Sequence, residues 1–154
     1  MAYPTVAAPY GLKPTNLQGG RPYAGSTRMV PISNAYGYNF FYGDVVRITN
    51  GVLAVTTLGA ASSAEAGTIG VFLGCQFTNP TTKQLTFSQY YPANTASNDM
   101  LAYVIDDPLV VFQTAVLTQS TSSVSNTIGT TVGYISPAFV GSNAYLITNG
   151  SNGG

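Results

Sequence analysis

The chain has one thiol, Cys75, five carboxylates and no imidazole among its 154 residues. Without histidine there is no Ser–His–Asp or Cys–His nucleophile pair, and no side chain whose ordinary pKa lies near neutrality. One cysteine without histidine cannot build a structural zinc site. Cys75 follows Val71-Phe72-Leu73-Gly74 and reads as a small core residue, with no second cysteine for an intrachain disulfide. Asp106-Asp107 is the one adjacent carboxylate pair. Neighbouring strand residues point to opposite faces, so these two diverge instead of forming a dyad, and Asp before Pro108 is ordinary turn chemistry. Asp99, Asp106 or Asp107 could contribute to a calcium site, but the regular spacing of oxygen ligands in calcium loops is missing. Asp44 after Gly43 reads as a strand start. Arg28 and Arg47 are expected to pair with acids across strands or between subunits, for about 0.2–1 kcal/mol if exposed. No Gly-Lys-Ser/Thr phosphate cradle is present. The expectation is therefore no catalytic residue, no cofactor and no metal.

Charged residues are 6% of the chain, and five Lys+Arg balance five Asp+Glu. A typical soluble domain carries roughly 25%. The surface must then consist largely of Ser, Thr, Asn, Gln, Gly, Tyr and backbone. Such a surface is cheap to desolvate, because few ions must be stripped of water. It suits a structural protein that packs against other protein; the alternative is a secreted or viral β-domain with a neutral, hydroxyl-rich exterior. The balanced charge makes no nucleic-acid footprint, and no apolar run reaches the ~20 residues of a membrane span. Met1-Ala2-Tyr3-Pro4 lacks the basic start of a signal peptide, which points to synthesis in a cytoplasm.

The elements follow from turn and strand signals. Residues 1–27 read as an extended arm, in which Pro4, Pro9, Pro14 and Pro22 exclude continuous helix. The arm also carries Tyr3, Tyr10, Leu12, Leu17 and Tyr23, with Arg28 at its end. It lies either in a groove of a neighbouring subunit or across its own domain. Residues 28–117 read as a β core. Asp44–Thr49 and Val52–Thr57 flank Asn50-Gly51, a two-residue hairpin turn. Thr68–Phe77 is a long apolar strand in which Gly70 and Gly74 mark bulges or close backbone approach. Gln84–Tyr91 alternates, and Met100–Ile105 and Leu109–Val116 are further strands. Residues 118–154 are Ser/Thr-rich, with late strands expected at 128–135 and 144–148 packing on the core. About eight short strands without helical periodicity define an all-β fold, a compact barrel or sandwich with an extended N-terminal arm. Of the aromatic residues, Phe40, Phe72 and Phe87 are expected in the core. Tyr36, Tyr38, Tyr42, Tyr90 and Tyr91 are candidates for an interface, where tyrosine is enriched.

These segments also occur in a suggestive order: Tyr10-Gly11-Leu12-Lys13-Pro14, Asn16-Leu17-Gln18-Gly19-Gly20, Tyr23-Ala24-Gly25-Ser26-Thr27-Arg28 and Phe41-Tyr42-Gly43-Asp44-Val45-Val46. Then come Ile69–Gly74, Phe87–Pro92 and Ala102–Pro108. The series, over residues 8–116, resembles small virion structural proteins of tailed bacteriophages, in particular capsid cement or decoration proteins. The resemblance implies a homo-oligomer, a trimer ahead of a dimer, on the outer capsid surface, made in the host bacterial cytoplasm. Its partner would be the major capsid protein, whose neighbouring copies it clamps. It carries no catalytic residues, and the last forty residues fall outside it. On this reading the arm binds the capsid, and a chain lacking residues 1–25 keeps a folded core. The other readings are a receptor- or carbohydrate-binding virion module using exposed tyrosines, and a tail or neck component.

Overall fold

The computed structural model describes residues 11–56, 68–114 and 140–142. The described residues form no helix and ten strands, and the all-β expectation holds. The strands are β1 (Lys13–Leu17), β2 (Arg28–Pro31), β3 (Phe40–Phe41), β4 (Val45–Thr49), β5 (Val52–Val55), β6 (Thr68–Thr78), β7 (Leu85–Ser88), β8 (Tyr90–Tyr91), β9 (Leu101–Ile105) and β10 (Val110–Gln113). The expected strands at 128–135 and 144–148, and the loop at 58–67, lie outside the described residues.

The main sheet is antiparallel, in the order β2-β9-β6-β4-β5. β6 is long enough to carry two partners along one edge. Its first half pairs with β4 and its second half with β7, while β9 runs along the opposite edge. The sheet curls until β2 comes near β5, with Cα atoms within 8 Å, but no ladder joins them and the barrel stays open. Two small sheets complete the described structure: β3 with β8, and β1 with β10.

Local chemistry accounts for these elements. Asn50 and Gly51 both take positive φ, 52° and 81°, as a two-residue hairpin of native twist requires, and Thr49 faces Val52. The glycines of β6 are contact glycines. A Cβ on Gly70 would overlap the Ile105 carbonyl oxygen, and one on Gly74 would lie 2.8 Å from the Ser88 carbonyl oxygen. Register slips sit beside both, between Val46 and Arg47 of β4 and between Phe72 and Gly74 of β6. Asn79 ends β6: its Oδ1 accepts the N–H of Thr81 and Thr82, and its carbonyl accepts Lys83 N–H at 2.9 Å. Lys83, at φ 58°, reverses the chain into β7.

The core lies inside the curl. Phe40, Phe72, Tyr91, Leu53, Met100, Val46, Val104 and Cys75 are buried there. Phe40 is its hub, with ring centroids 5.2 Å from Tyr36, 5.4 Å from Phe72 and 5.6 Å from Tyr91. Cys75 is the small core residue expected, and burial pushes its thiol up to about 11.

Two expectations about aromatic residues are corrected. Phe87 is not in the core: it is 65% exposed. Tyr91 is not an interface residue: it is fully buried. Both follow from one bend. In β7 the residues facing the core are Thr86 and Ser88, which pair with buried Phe77 and Cys75, so Phe87 falls on the outside opposite Gln76. The chain then kinks at Gln89, where Ser88 Oγ accepts Tyr90 N–H at 3.1 Å. The kink shifts the alternation by one residue, and Tyr91 turns inward against Phe40.

Candidate functional site

The described part of the arm is built into its own domain. β1 pairs with β10 from Lys13↔Gln113 to Leu17↔Val110, and Gln18 N–H donates to the Leu109 carbonyl at 2.8 Å. Leu12 N–H donates to the Gly43 carbonyl at 2.9 Å. There the arm crosses the β3–β4 bend so closely that a Cβ on Gly43, already at φ +90°, would meet Leu12 N at 2.8 Å. Of the two readings of the arm, residues 11–22 follow the one in which it crosses its own domain. A chain lacking residues 1–25 would lose β1 and bare β10, while the buried core cluster takes no residue from that segment. Tyr3 and Tyr10 lie outside the described residues. Leu17 is half-buried, and Tyr23 donates its hydroxyl to the Ser26 carbonyl at 2.8 Å. Arg28 is exposed and paired across strands with Asp106 at 2.7 Å.

The tyrosine set divides by depth around β3 and β8. Tyr91 belongs to the core, where burial raises its phenol pKa. Tyr36 is half-buried on Phe40, and its hydroxyl accepts Val55 N–H at 3.0 Å, capping the free edge of β5. Tyr90 stacks on Phe41 at 5.0 Å and donates to Asn39 Oδ1 at 3.2 Å. Tyr42 is half-buried. Tyr38 is 66% exposed and tilted against Tyr36 at 5.7 Å. Within this tyrosine set, exposed area belongs largely to Tyr38, with a smaller share from Tyr90.

The described acids are each occupied separately. Asp99 accepts Thr78 N–H at 3.1 Å, the Thr78 hydroxyl at 2.5 Å and the Ser97 hydroxyl, which hold its carboxyl down at about 2. Asp106 is held by Arg28, and Asp107 accepts Leu109 N–H at 2.9 Å in the turn into β10. Asp44 accepts Phe41 N–H at 2.8 Å across the β3–β4 bend; burial raises its pKa, against a smaller lowering by that bond. The structure does not bring Asp99, Asp106 and Asp107 together, and no group of three potential metal ligands occurs among the described residues.

What sequence reasoning missed is the outer face of the main sheet. Register places Phe87, Gln76, Leu101 and Pro31 in one row across β7, β6, β9 and β2. A second row holds Gly74, Tyr103 and Met29, and Leu85 stands beside Thr78. Met29 and Leu85 are each 57% exposed, like Phe87 uncovered apolar side chains. Tyr103 donates to Gln76 Oε1 at 2.5 Å, so even its polar atoms are turned along the sheet. None of these residues is charged. The alternation in β2, β7 and β9 carries this signal, but only the strand order shows that the apolar outward positions adjoin.

No protein family, no curated protein and no solved structure matches the chain.

Proposed function

We propose that the chain is a structural protein of a virion, a capsid cement or decoration protein. It binds the outer surface of a phage head as a homo-oligomer and clamps neighbouring major capsid proteins. It performs no catalysis in this role. The observation that carries the reading is the charge-poor outer face of β2, β9, β6 and β7, where Met29, Leu85 and Phe87 stand exposed beside Gln76 and Tyr103, and one carboxylate, Asp99, is bonded to Thr78 at the end of β6. Burying such a face against protein removes apolar area from water at about 25 cal/mol per Å² and, clear of Asp99 at its margin, strips no ion of its hydration. Each contact of this kind is weak. A shell offers the same contact many times, and an oligomer engages several at once, so avidity supplies the strength.

Purified virions test this directly. Quantitative mass spectrometry is expected to find copies in proportion to the major capsid protein, and cryo-electron microscopy to place them on the head exterior. A few copies confined to the tail or neck, or none in the particle, would overturn the proposal. Exposed Tyr38 beside Tyr36 favours a second reading, a carbohydrate-binding virion module, since a tilted aromatic pair offers a sugar-stacking surface. Specific glycan-array binding that is lost in Tyr38→Ala supports that reading.

A further inference from the structure

β7 has two edges, and only one is used. Asn79 N–H donates to the Gln84 carbonyl at 2.9 Å, so these two residues face each other across the turn. In antiparallel pairing every second residue repeats that orientation. Thr86 therefore bonds to Phe77 and Ser88 to Cys75, as the register also requires. The Thr78 N–H confirms the phase, because it points the other way, to Asp99 on the β9 side. The N–H and C=O groups of Leu85 and Phe87 must then point away from β6. Among the described residues no strand pairs with that edge. By contrast, the free edge of β5 is capped by the Tyr36 hydroxyl at Val55.

An open edge with exposed apolar side chains and no charge in the strand itself is a template for strand pairing. The occupant is specified by self-complementarity. We propose that β7 pairs antiparallel with β7 of a second copy of this chain, about a two-fold axis through Thr86. In that register Leu85 of each copy faces Phe87 of the other. The four outward N–H and four outward C=O groups of the two strands satisfy one another, and two Leu–Phe cross-strand contacts form on the outer face. Lys83 falls opposite Gln89, so the nearest charge meets no like charge. The axis stands perpendicular to the sheet, so both outer faces look the same way and join into one larger, charge-poor surface. A two-fold contact closes on itself and does not propagate into a fibre. The inference concerns the free protein and does not depend on the capsid reading.

The test is a charge exchange read by sedimentation over a dilution series. Wild type is expected to show a concentration-dependent dimer. The double variants Leu85→Lys/Phe87→Lys and Leu85→Glu/Phe87→Glu each place like charges opposite one another. Each should weaken self-association by at least about tenfold. Mixing the two should restore a heterodimer. A wild type that is monomeric throughout, or an oligomer indifferent to both double variants, would overturn the proposal. If either double variant loses its tyrosine near-ultraviolet signature, a Thr86→Cys chain decides instead. Residues 86 face each other in a non-hydrogen-bonded pair, where Cα atoms lie about 4.5 Å apart, within disulfide range. Oxidation should give a disulfide dimer, with buried Cys75 as an unreactive bystander. No cross-link at concentrations where wild type dimerises would count against the register.

Discussion

Gly70→Ala should be among the most damaging one-methyl changes available to this protein, although Gly70 is not at positive φ and no conformational privilege is at stake. The new Cβ would overlap the carbonyl oxygen of Ile105, lie 2.7 Å from the Ile105 carbonyl carbon and 3.1 Å from Val104 Cγ1. Val104 could give way by rotation, but the carbonyl is backbone of β9, fixed by the Val71↔Ile105 pairing beside it. Relief requires β6 and β9 to part at that point. Overpacking of this kind costs about 1–3 kcal/mol, and a lost ladder hydrogen bond adds about 1 kcal/mol. A loss of about 3 kcal/mol is expected, a large share of the roughly 5–15 kcal/mol that holds a domain together. In urea, with a slope of about 1–3 kcal/mol/M, the midpoint should fall by about 1–3 M with the slope unchanged. Gly37→Ala is the control. Nothing lies within 4 Å of its added Cβ and its φ is not positive, so the same methyl should stabilise by about 0.4–1 kcal/mol through the unfolded chain. A Gly70→Ala midpoint indistinguishable from wild type would refute the close approach of β6 and β9 and the bulge derived from it.

Tyr36→Phe removes the acceptor for Val55 N–H while leaving the ring on Phe40, so stability should drop by about 1 kcal/mol and the Val55 amide should exchange faster with deuterium. Asp99 has a folded pKa of about 2, below its ordinary value, so its contribution is present above about pH 4 and is lost as pH falls toward 2. Asp99→Asn should flatten that limb of a stability–pH curve; an unchanged limb would show that the Thr78 and Ser97 bonds do not favour the carboxylate. Asp44 runs the opposite way: its pKa is raised, so its contribution is present at low pH and lost as pH rises through the folded value.

The sequence by itself determined the class of fold, the Asn50-Gly51 hairpin, the contact role of Gly70 and Gly74, the burial of Cys75 and the scarcity of charge. Each is a local matter: turn residues with positive φ, β-branched runs, glycine where backbones meet, or a composition. Tertiary structure decided which side of each strand faces the core. Phe87 and Tyr91 stand in one apparently continuous strand, yet one is outside and the other at the centre, because the kink at Gln89 shifts the alternation by one residue. By sequence the arm is equally at home on a neighbour or on its own domain, since a strand's backbone groups accept any edge in register. Its pairing with β10 depends on a partner nearly a hundred residues away in the chain. The same long-range order joins Phe87, Leu101 and Met29 into one charge-poor face, because the side-chain period within a strand says nothing about which strands become neighbours.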